Sequence, residues 1–305
     1  MERYQNRNCP ACGGKPDAST RVSSKVAAET LPFSDLQSYW NGFFKEKVFF
    51  SYYKCIDCSL LFAPVFFTDA QLEKLYREMP DNTAGVPIEA LRQTQHGYFN
   101  SLKKHSSLDG VYLEVGPDIG LFTENCVQEG TYKKYWLFEP NRSVWPSLEK
   151  IIFGKEGEII SDMFGFSVVP QNSVDSAVMI HVLDHLLDPV ATLQELQQKL
   201  TQQSRLLVVT HDESSFLRKI TGTGWPAYCL QHPQIFNPDS IKVLMKAAGY
   251  KVTHMEKTVN HFPVMYLLKH LLWAFGLKLD VPQWSRFSIG LKLGNMLNIA
   301  TPEKS

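Results

Sequence analysis

The sequence predicts an α/β protein, in which helices cover both faces of a doubly wound, mainly parallel sheet. Short apolar runs recur from about residue 110 onward, and helical segments separate them. Near-continuous apolar runs of this kind are typical of strands buried on both faces of a parallel sheet. A chain of 305 residues is long enough for one such domain and a small additional segment.

Seven strands are predicted from these apolar runs, and the third run is the weakest. In chain order the predicted strands are Val111–Val115, Tyr135–Phe138, Ile159–Ile160, Val174–Ile180, Leu206–Val209, Tyr250–Val259 and Asn295–Ala300. Ligands of an open α/β sheet bind beyond the C-terminal ends of its strands. The residues that follow these runs are therefore the first candidates for a functional site.

Three helices carry sequence signals at their ends. Thr68 and Gln71 form a capping box at the start of one helix, and Pro80 ends it. Asp188-Pro189 and Asn237-Pro238 each combine a capping side chain with a proline at the first helical position. These signals predict helices that begin at residues 69, 189 and 238.

The stretch PDNTAGVP, residues 80–87, is rich in turn-forming residues and is predicted to be a linker. It divides the chain into residues 1–80, a cysteine-containing segment with an insertion and a connecting helix, and residues 81–305, the α/β domain. Within the second part, a very apolar, amphipathic stretch predicts a helical insert over 264–292. Contact with the core or with a second copy in a homodimer is expected, with contact to a membrane surface as the less favoured alternative.

Composition argues against several classes of function. Lys+Arg and Asp+Glu both total 31, so no overall charge favours nucleic acid or an anionic membrane. The N-terminus lacks the apolar run of a signal peptide. The longest apolar stretch, Phe262–Leu277, is interrupted by Lys269 and His270, and it falls short of the about 20 residues that span a bilayer. We therefore expect a cytoplasmic protein whose cysteines are thiols or metal ligands.

Four cysteines form two C-x-x-C pairs, Cys9 with Cys12 and Cys55 with Cys58. Four thiolates are enough for a closed tetrahedral zinc site, so the pairs predict a structural Zn²⁺ ion. A redox pair is the alternative, but no thioredoxin-like βαβ pattern surrounds either motif. The 42 residues between the pairs are long for a bare zinc ribbon and are a candidate lid over the active site.

The first predicted strand ends in an acid and a glycine turn, GVYLEVGPDIG. Gly116 and Gly120 have no Cβ and would let the backbone approach a ligand closely. Glu114 and Asp118 place two carboxylates beside this turn, where a phosphate would be repelled. The turn therefore favours a ligand with a positively charged end over a dinucleotide, which needs G-x-G-x-x-G and amide donors.

Two more acids follow the next two predicted strands. Glu139 stands 25 residues after Glu114, at a position where a carboxylate accepts hydrogen bonds from ribose hydroxyls in nucleotide-binding α/β folds. Asp162 follows the third strand and could accept from an adenine amino group. The three acids together indicate a nucleoside with a cationic tail.

The arrangement resembles the class I S-adenosylmethionine-dependent methyltransferases of the small-molecule branch. The resemblance rests on E-x-G-x-x-x-G after the first strand, FEPN after the second, and VDSAVMIHVLDHLLDPVATLQELQQKL followed by SRLLVVT. It implies a seven-stranded Rossmann-like sheet whose last strand is antiparallel. CPACGG and YYKCIDCSLLFAP resemble the zinc-binding N-terminal segment of some of these enzymes, which often act on sugars or secondary metabolites.

The resemblance also implies the cofactor and its contacts. The cofactor-binding residues would be Glu114 at the methionyl amino group, Gly116, Asp118 and Gly120 in the loop, Glu139 at the ribose and Asp162 near the adenine. Asp118 stands where the family often carries a glycine. The implied enzyme transfers a methyl group from S-adenosylmethionine to a small molecule, with a sugar, a glycan precursor or a secondary metabolite as the expected acceptor class.

Three histidines are candidates for the general base that a hydroxyl acceptor requires. His181 and His185 follow the fourth strand, and His232 lies in the aromatic loop GTGWPAYCLQHPQIFNP. Trp225, Tyr228 and Phe236 of the same loop are, with His232, candidates to stack on and hydrogen-bond a ring-shaped acceptor. A structural role is an equally acceptable interpretation of His181 and His232, and the more favoured one for His185. His181, Asp184 and His185 are also spaced to share one helical face and hold a second metal ion.

Two other interpretations of the sequence stay open. The first is a catalytically silent protein that binds S-adenosylmethionine or a partner without turning over. The second is a nicotinamide-dependent enzyme, which would bind a dinucleotide in the same crevice. The acceptor, the methylated atom and the oligomeric state are not readable from the sequence.

Overall fold

The computed structural model describes residues 4–40, 47–77, 87–162, 165–274, 276–277, 279 and 288–303. Its strands are β1 (Gln5–Asn6), β2 (Pro16–Val22), β3 (Tyr52–Cys55), β4 (Leu61–Phe62), β5 (Val65–Phe66), β6 (Asp109–Val115), β7 (Thr131–Phe138), β8 (Glu156–Ile160), β9 (Val174–Ile180), β10 (Leu200–His211), β11 (Gln234–Ile235), β12 (Tyr250–Lys257), β13 (Asn260–Pro263), β14 (Ser288–Leu291) and β15 (Asn295–Pro302). Its helices are α1 (Phe33–Leu36), α2 (Asp69–Arg77), α3 (Ile88–His105), α4 (Leu121–Glu129), α5 (Trp145–Ile151), α6 (Pro189–Lys199), α7 (Phe216–Thr221), α8 (Pro238–Ala247) and α9 (Val264–Ala274).

The seven predicted strands form one sheet, in the order β12-β15-β10-β9-β6-β7-β8. Neighbouring strands are parallel except β15, which is antiparallel to both β10 and β12. The predicted seven-stranded α/β sheet with an antiparallel last strand is thus confirmed. From β6 the chain adds β7 and β8 on one side, and from β9 it adds β10 on the other side. The crevice between β6 and β9, where the strand order reverses, is the usual ligand site in such sheets.

Two apolar cores lie on the two opposite faces of the sheet. On one face α6 and α8 place Leu193, Leu196, Ile241 and Leu244 against the strands, and all four are fully buried. On the other face α3, α4 and α5 pack, with Phe99 of α3 in the same core. Helix α3 was not predicted from the sequence; its first turn begins after Pro87, which follows residues outside the described ranges.

The predicted capping signals are present where the structure describes them. Thr68 and Gln71 exchange hydrogen bonds between side chain and backbone, as a capping box requires. Asp188 accepts from the backbone N–H of Ala191 at 3.0 Å. Asn237 forms a reciprocal capping box with Ser240. The predicted stop at Pro80 and the linker over 80–86 lie outside the described residues.

The N-terminal segment is joined to the α/β domain by a shared sheet. Its strands β2, β3 and β4 form a four-stranded antiparallel sheet with β11, which lies in the loop after β10. The aromatic residues of the insertion between the cysteine pairs form a separate core with that loop. This core includes Trp40, Phe49, Phe50, Tyr52, Trp225 and Tyr228. The division of the chain into two domains, residues 1–80 and 81–305, therefore stays a prediction.

Helix α9 lies in the range of the predicted insert, and β13 and β14 pair antiparallel on either side of it. The backbone N–H of His261 donates to Thr94 Oγ1 in α3 at 2.8 Å, which fixes β13 to the domain. Residues 280–287 of the predicted insert lie outside the described ranges. Among the described residues, no helix has both the length and the apolar character needed to cross a bilayer.

Candidate functional site

The loop after β6 contains three residues in left-handed backbone conformation. Gly116, Asp118 and Gly120 have φ values of 68°, 52° and 83°. Glycine adopts this backbone conformation without strain, which suits it to all three positions. Asp tolerates the same conformation better than most residues with a Cβ, so Asp118 is acceptable here. The N–H of Gly116 continues the pairing of β6 with β7 by donating to the carbonyl of Phe138 at 2.8 Å, and the N–H of Gly120 closes the turn by donating to the carbonyl of Pro117 at 2.9 Å.

Gly116 and Gly120 differ in what a side chain would meet. A Cβ on Gly120 would lie 2.5 Å from Ile151 Cδ1 and 2.8 Å from Leu148 Cδ2, both in helix α5. A Cβ on Gly116 would lie 3.0 Å from Val182 Cγ2. Gly120 is thus required by close packing of the loop on α5 as well as by its backbone conformation, a reason that the sequence analysis did not give.

Glu139 ties the glycine loop to the end of β7. Its Oε2 accepts from the N–H of Asp118 at 3.0 Å, and its Oε1 accepts from the N–H of Asn141 at 2.8 Å. Burial raises the pKa of Glu139, and the two N–H donors work against this. A carboxylate has about four lone-pair sites, so both oxygens keep capacity for ligand hydroxyls.

Glu114 is 2% exposed and lies at the floor of the crevice. Its Oε2 accepts from Tyr112 Oη at 2.6 Å and from Thr123 Oγ1 at 2.5 Å. Burial raises the pKa of Glu114 to about 7; the two hydroxyl donors oppose the rise, and the nearby negative charges of Glu139 and Asp118 add to it. A cationic ligand group beside this carboxylate would favour its charged form.

A pocket of about 200 Å³ lies at the crevice, between β6, β9 and α3. Glu114, the loop from Gly116 to Ile119, and His181 are among its lining residues. Asp162 does not line this pocket. It is exposed, and its Oδ1 accepts from the N–H of Gly165 at 3.1 Å.

The chain after β9 forms a turn over residues 181–187 and not a helix. The expectation that His181, Asp184 and His185 share one helical face is therefore wrong. His181 itself has φ 54°, an uncommon conformation for a residue with a Cβ. The side chain of His185 instead lies beside Tyr76, with Nδ1 at 3.4 Å from its hydroxyl, and against the ring of His232.

Asp184 is fully buried and pairs with His211, the last residue of β10. Its Oδ2 accepts from the backbone N–H of His211 at 3.0 Å, and His211 Nδ1 lies 2.9 Å from the same oxygen. Burial alone would raise the pKa of Asp184, but the neighbouring imidazoles of His181, His211 and His232 hold it well below its usual range. Burial lowers the pKa of His211 to about 4, despite the opposing effect of Asp184.

His211 was missed by the sequence analysis, although a signal for it was available. It lies two residues after the predicted fifth strand, and the ends of neighbouring parallel strands meet at one edge of a sheet. Applying the strand-end rule to this strand as well would have placed His211 beside His181. Their rings lie 4.6 Å apart between centroids.

His232 is buried in the loop that follows β10. Its Nδ1 lies 2.7 Å from the carbonyl oxygen of Ala227, to which it can donate, and 3.4 Å from Cys229 Sγ. Burial acts to lower the pKa of His232, but the Cys229 thiol, Asp184 and the Ala227 carbonyl raise it to about 9. His232 is therefore protonated near neutral pH, which makes it a weaker proton acceptor than its sequence position suggests.

The aromatic residues proposed as walls for a ring-shaped acceptor are distributed differently. Tyr228 and Phe236 are fully buried in the two cores, so neither lines an open pocket. Trp225 is also buried, but its ring lies 6.1 Å from that of His211. Of the aromatic side chains proposed for this loop, only Trp225 and His232 reach the histidine cluster.

The four paired cysteines converge. Cys9 Sγ lies 3.5 Å from Cys58 Sγ, Cys12 Sγ lies 3.4 Å from Cys55 Sγ, and all four sulfurs lie within 4.8 Å of one another. The two pairs also fold alike. In each, the residue after the second cysteine, Gly13 or Ser59, is left-handed and its N–H donates to the carbonyl of the first.

A methyltransferase-domain family profile matches residues 90–255, more than half of the chain. The chain belongs to this methyltransferase family. The prediction of an S-adenosylmethionine-dependent methyltransferase is thereby confirmed. The matched range contains the glycine loop, Glu139 and the turn after β9, but neither the cysteine pairs nor the last strand. No protein with a curated description matches the sequence.

Solved structures resemble the methyltransferase in fold. A Haloferax volcanii complex of the Trm112 methyltransferase activator with a proposed methyltransferase matches with 11% identity and a TM-score of 0.51, over 70% of this chain and 91% of that one. The YcgJ protein from Bacillus subtilis matches with 12% identity and a TM-score of 0.50, over 69% and 99% of the two chains. A Leishmania major S-adenosylmethionine-dependent methyltransferase matches with 13% identity and a TM-score of 0.46, over 88% of this chain and 82% of that one. At such identities the likeness shows the fold alone.

Proposed function

We propose that the methyltransferase transfers the methyl group of S-adenosylmethionine to a hydroxyl-bearing small molecule, with a sugar, a glycan precursor or a secondary metabolite as the acceptor class. The arrangement of Glu114 and Glu139 on either side of the glycine loop carries this proposal. The buried Glu114 carboxylate suits the amino group of the methionyl end, and Glu139 retains lone pairs for the ribose hydroxyls. Gly116, Asp118 and Gly120 would form the wall between them, and Asp162 would lie near the adenine.

Methyl transfer is an in-line displacement at the carbon of a sulfonium, so the protein must mainly align the acceptor and exclude water. The new bond joins the acceptor oxygen to the methyl carbon, and the carbon–sulfur bond breaks. The acceptor proton must pass to a base. His181 is the first candidate because it lines the cofactor pocket, whereas His185 lies against Tyr76, and His232 is already protonated near neutral pH.

Cys9, Cys12, Cys55 and Cys58 would hold a structural Zn²⁺ ion in this proposal. In a tetrahedral site with Zn–S bonds of about 2.3 Å, the sulfurs lie roughly 3.8 Å apart. The two shortest separations, 3.4 and 3.5 Å, are near this value and far longer than a disulfide of about 2.05 Å. The ion would stabilise the N-terminal segment and take no part in methyl transfer.

Calorimetry with S-adenosylhomocysteine tests the cofactor site. Glu114→Gln removes the charge and keeps the side-chain shape, so we expect binding at least tenfold weaker, as for other charge-assisted hydrogen bonds. Glu149→Gln, at an exposed acid of α5, is the matched control and should bind like the wild type. Tight binding of a nicotinamide dinucleotide, without heat from S-adenosylhomocysteine, would instead support the nicotinamide-dependent alternative.

Mass spectrometry tests the acceptor class. Sugar nucleotides and phenolic or polyol metabolites are incubated with the enzyme and methyl-labelled cofactor, and a product heavier by one labelled methyl group is expected. His181→Ala should reduce the rate while retaining S-adenosylhomocysteine binding. Cofactor binding without transfer to any acceptor would favour the catalytically silent alternative.

A further inference from the structure

Three side chains from two neighbouring strand ends converge beside the cofactor pocket. His181 Nδ1 lies 3.7 Å from Asp184 Oδ2, His211 Nδ1 lies 2.9 Å from the same oxygen, and all three ligand atoms lie within 4.8 Å of one another. Around an ion with bonds of about 2.0–2.1 Å, tetrahedral ligand atoms are roughly 3.3 Å apart. The two measured separations lie on either side of this value.

Two of the groups involved have unused hydrogen-bonding capacity. His181 Nδ1 and Asp184 Oδ1 are buried atoms without a hydrogen-bond partner among the described residues. Asp184 is fully buried, and a desolvated carboxylate with an unpartnered oxygen is costly. A bound cation would take the lone pair of His181 Nδ1 and would compensate the buried charge of the Asp184 carboxylate.

We propose that His181, Asp184 and His211 bind a divalent first-row transition metal ion through two imidazole nitrogens and one carboxylate oxygen. This ligand set suits Zn²⁺, Co²⁺, Mn²⁺ or Fe²⁺. It differs from the set that sequence spacing suggested, because His211 of β10 takes the place of His185.

The surroundings support the imidazoles as ligands. The other ring nitrogen of His181, Nε2, lies 3.1 Å from Asn295 Nδ2 at the start of β15. With the Asn295 amide turned over, its oxygen would accept the Nε2–H that a metal-bound imidazole carries, which is a usual outer contact of such ligands. The His211 ring is held between His181 and His232.

Three protein ligands leave at least one coordination position for another molecule. His181 lines the cofactor pocket, so this position lies between that pocket and the loop containing His232. If the proposed function is correct, the ion would orient an acceptor oxygen there and lower the pKa of the acceptor hydroxyl, and His181 would then serve as a metal ligand in place of the general base. The acceptor class would then be molecules with a hydroxyl, or with adjacent hydroxyl and carbonyl oxygens.

Metal titration tests the site without knowledge of the acceptor. Mn²⁺ prefers nitrogen and oxygen ligands and should leave a zinc-loaded four-cysteine site undisturbed. Titration of full-length protein loaded with one zinc ion per chain, followed by electron paramagnetic resonance, should show one bound Mn²⁺ per chain. Co²⁺ in the same protein should give visible absorption without the intense near-ultraviolet band of a thiolate ligand.

His211→Ala should weaken Mn²⁺ binding at least tenfold, and His185→Ala, at the neighbouring histidine outside the set, should leave it unchanged. Because changes near buried Asp184 can impair folding, the wild-type protein supplies a second measurement: bound Mn²⁺ should broaden the imidazole proton resonances of His181 and His211. No bound Mn²⁺ or Co²⁺, or equal affinity in His211→Ala, overturns the proposal. S-adenosylhomocysteine calorimetry on the same samples reports separately on the proposed function.

Discussion

Glu114 shows how a proposed binding residue can reduce the stability of the protein that contains it. The carboxylate has almost no contact with water, and burial is the largest cause of its raised pKa. A cationic group beside it would make the charged form more favourable. Tyr112 and Thr123 hold the carboxylate in place beforehand, so the orientation is fixed before the ligand binds.

We expect Glu114→Gln to raise the stability of the cofactor-free protein at pH 8 and to leave it unchanged near pH 4. The pKa of Glu114 is raised from 4.5 to about 7 in the folded protein, so between these pH values the folded state retains a proton that the unfolded chain releases. The stability of the wild type therefore falls as pH rises through this window, by up to about 3 kcal/mol. Urea unfolding of both proteins at several pH values measures the difference.

Glu149→Gln serves again as the control, because its side chain is exposed and should give parallel pH profiles. Equal pH dependence of wild type and Glu114→Gln would contradict the raised pKa. At pH 8, where the wild-type carboxylate is charged, Glu114→Gln should also bind S-adenosylhomocysteine more weakly than the wild type, so stability and cofactor affinity change in opposite directions.

At the scale of single elements, helix α8 connects the α/β domain to the second cysteine pair. Asn237 caps α8 by accepting from the N–H groups of Asp239 and Ser240. Its Nδ2 also donates to the carbonyl of Ser59 at 2.9 Å, directly after Cys58. One side chain thus stabilises the helix start and fixes the position of the cysteine turn.

We expect Asn237→Ser to cost about 1 kcal/mol and Asn237→Ala about 2 kcal/mol in the free energy of unfolding. Serine keeps a capping oxygen and loses only the hydrogen bond to Ser59, whereas alanine loses both interactions. Asp188→Ala, which removes only the cap of α6, should cost about 1 kcal/mol. Urea denaturation of the three variants measures this order, and equal effects of Ser and Ala at 237 would refute the double role.

Across the whole molecule, the N-terminal segment supports the loop that carries His232. Tyr52 Oη donates to the carbonyl of His232 at 2.5 Å, and Lys47 Nζ donates to the carbonyl of Tyr228 at 3.4 Å. Arg7, two residues before Cys9, donates to Gln234 Oε1, and Gln234 donates to the carbonyl of Leu183 in the turn after β9. The segment therefore contacts the loop after β10 and the turn after β9, whereas Glu114 and Glu139 lie at the ends of β6 and β7.

If the four cysteines hold the proposed zinc ion, its removal should loosen the loop and leave the proposed cofactor site unchanged. After treatment with a strong chelator, or in Cys55→Ser, we expect faster hydrogen exchange over residues 225–236. Affinity for S-adenosylhomocysteine should stay within about threefold, because Glu114 and Glu139 have their hydrogen-bond partners in the α/β domain. Cys126→Ala, at a buried cysteine outside the set, should retain one zinc per chain and normal exchange in this loop. Unchanged exchange after zinc loss would show that the loop does not depend on the four-cysteine site.

Local patterns in the sequence were enough to predict the strands, several helix starts, the crevice and the cysteine pairs. Apolar runs located the strands because burial on both faces of a sheet requires them. Turn and capping residues located helix starts, and the acids at strand ends marked the crevice, because parallel strands bring their C-terminal ends to one edge. The two cysteine pairs were equally readable, since the spacing within each pair is set by a local turn.

Contacts between distant segments were decided only by the tertiary structure. Asp184 and His211 are 27 residues apart and meet because β9 and β10 are neighbours, whereas the turn after β9 directs His185 toward Tyr76. The pairing of β11 with β4 likewise buries Tyr228 and Phe236, which sequence alone suggested for an acceptor pocket. Spacing along the chain describes a helix or a strand, but side-chain neighbours depend on strand order and packing.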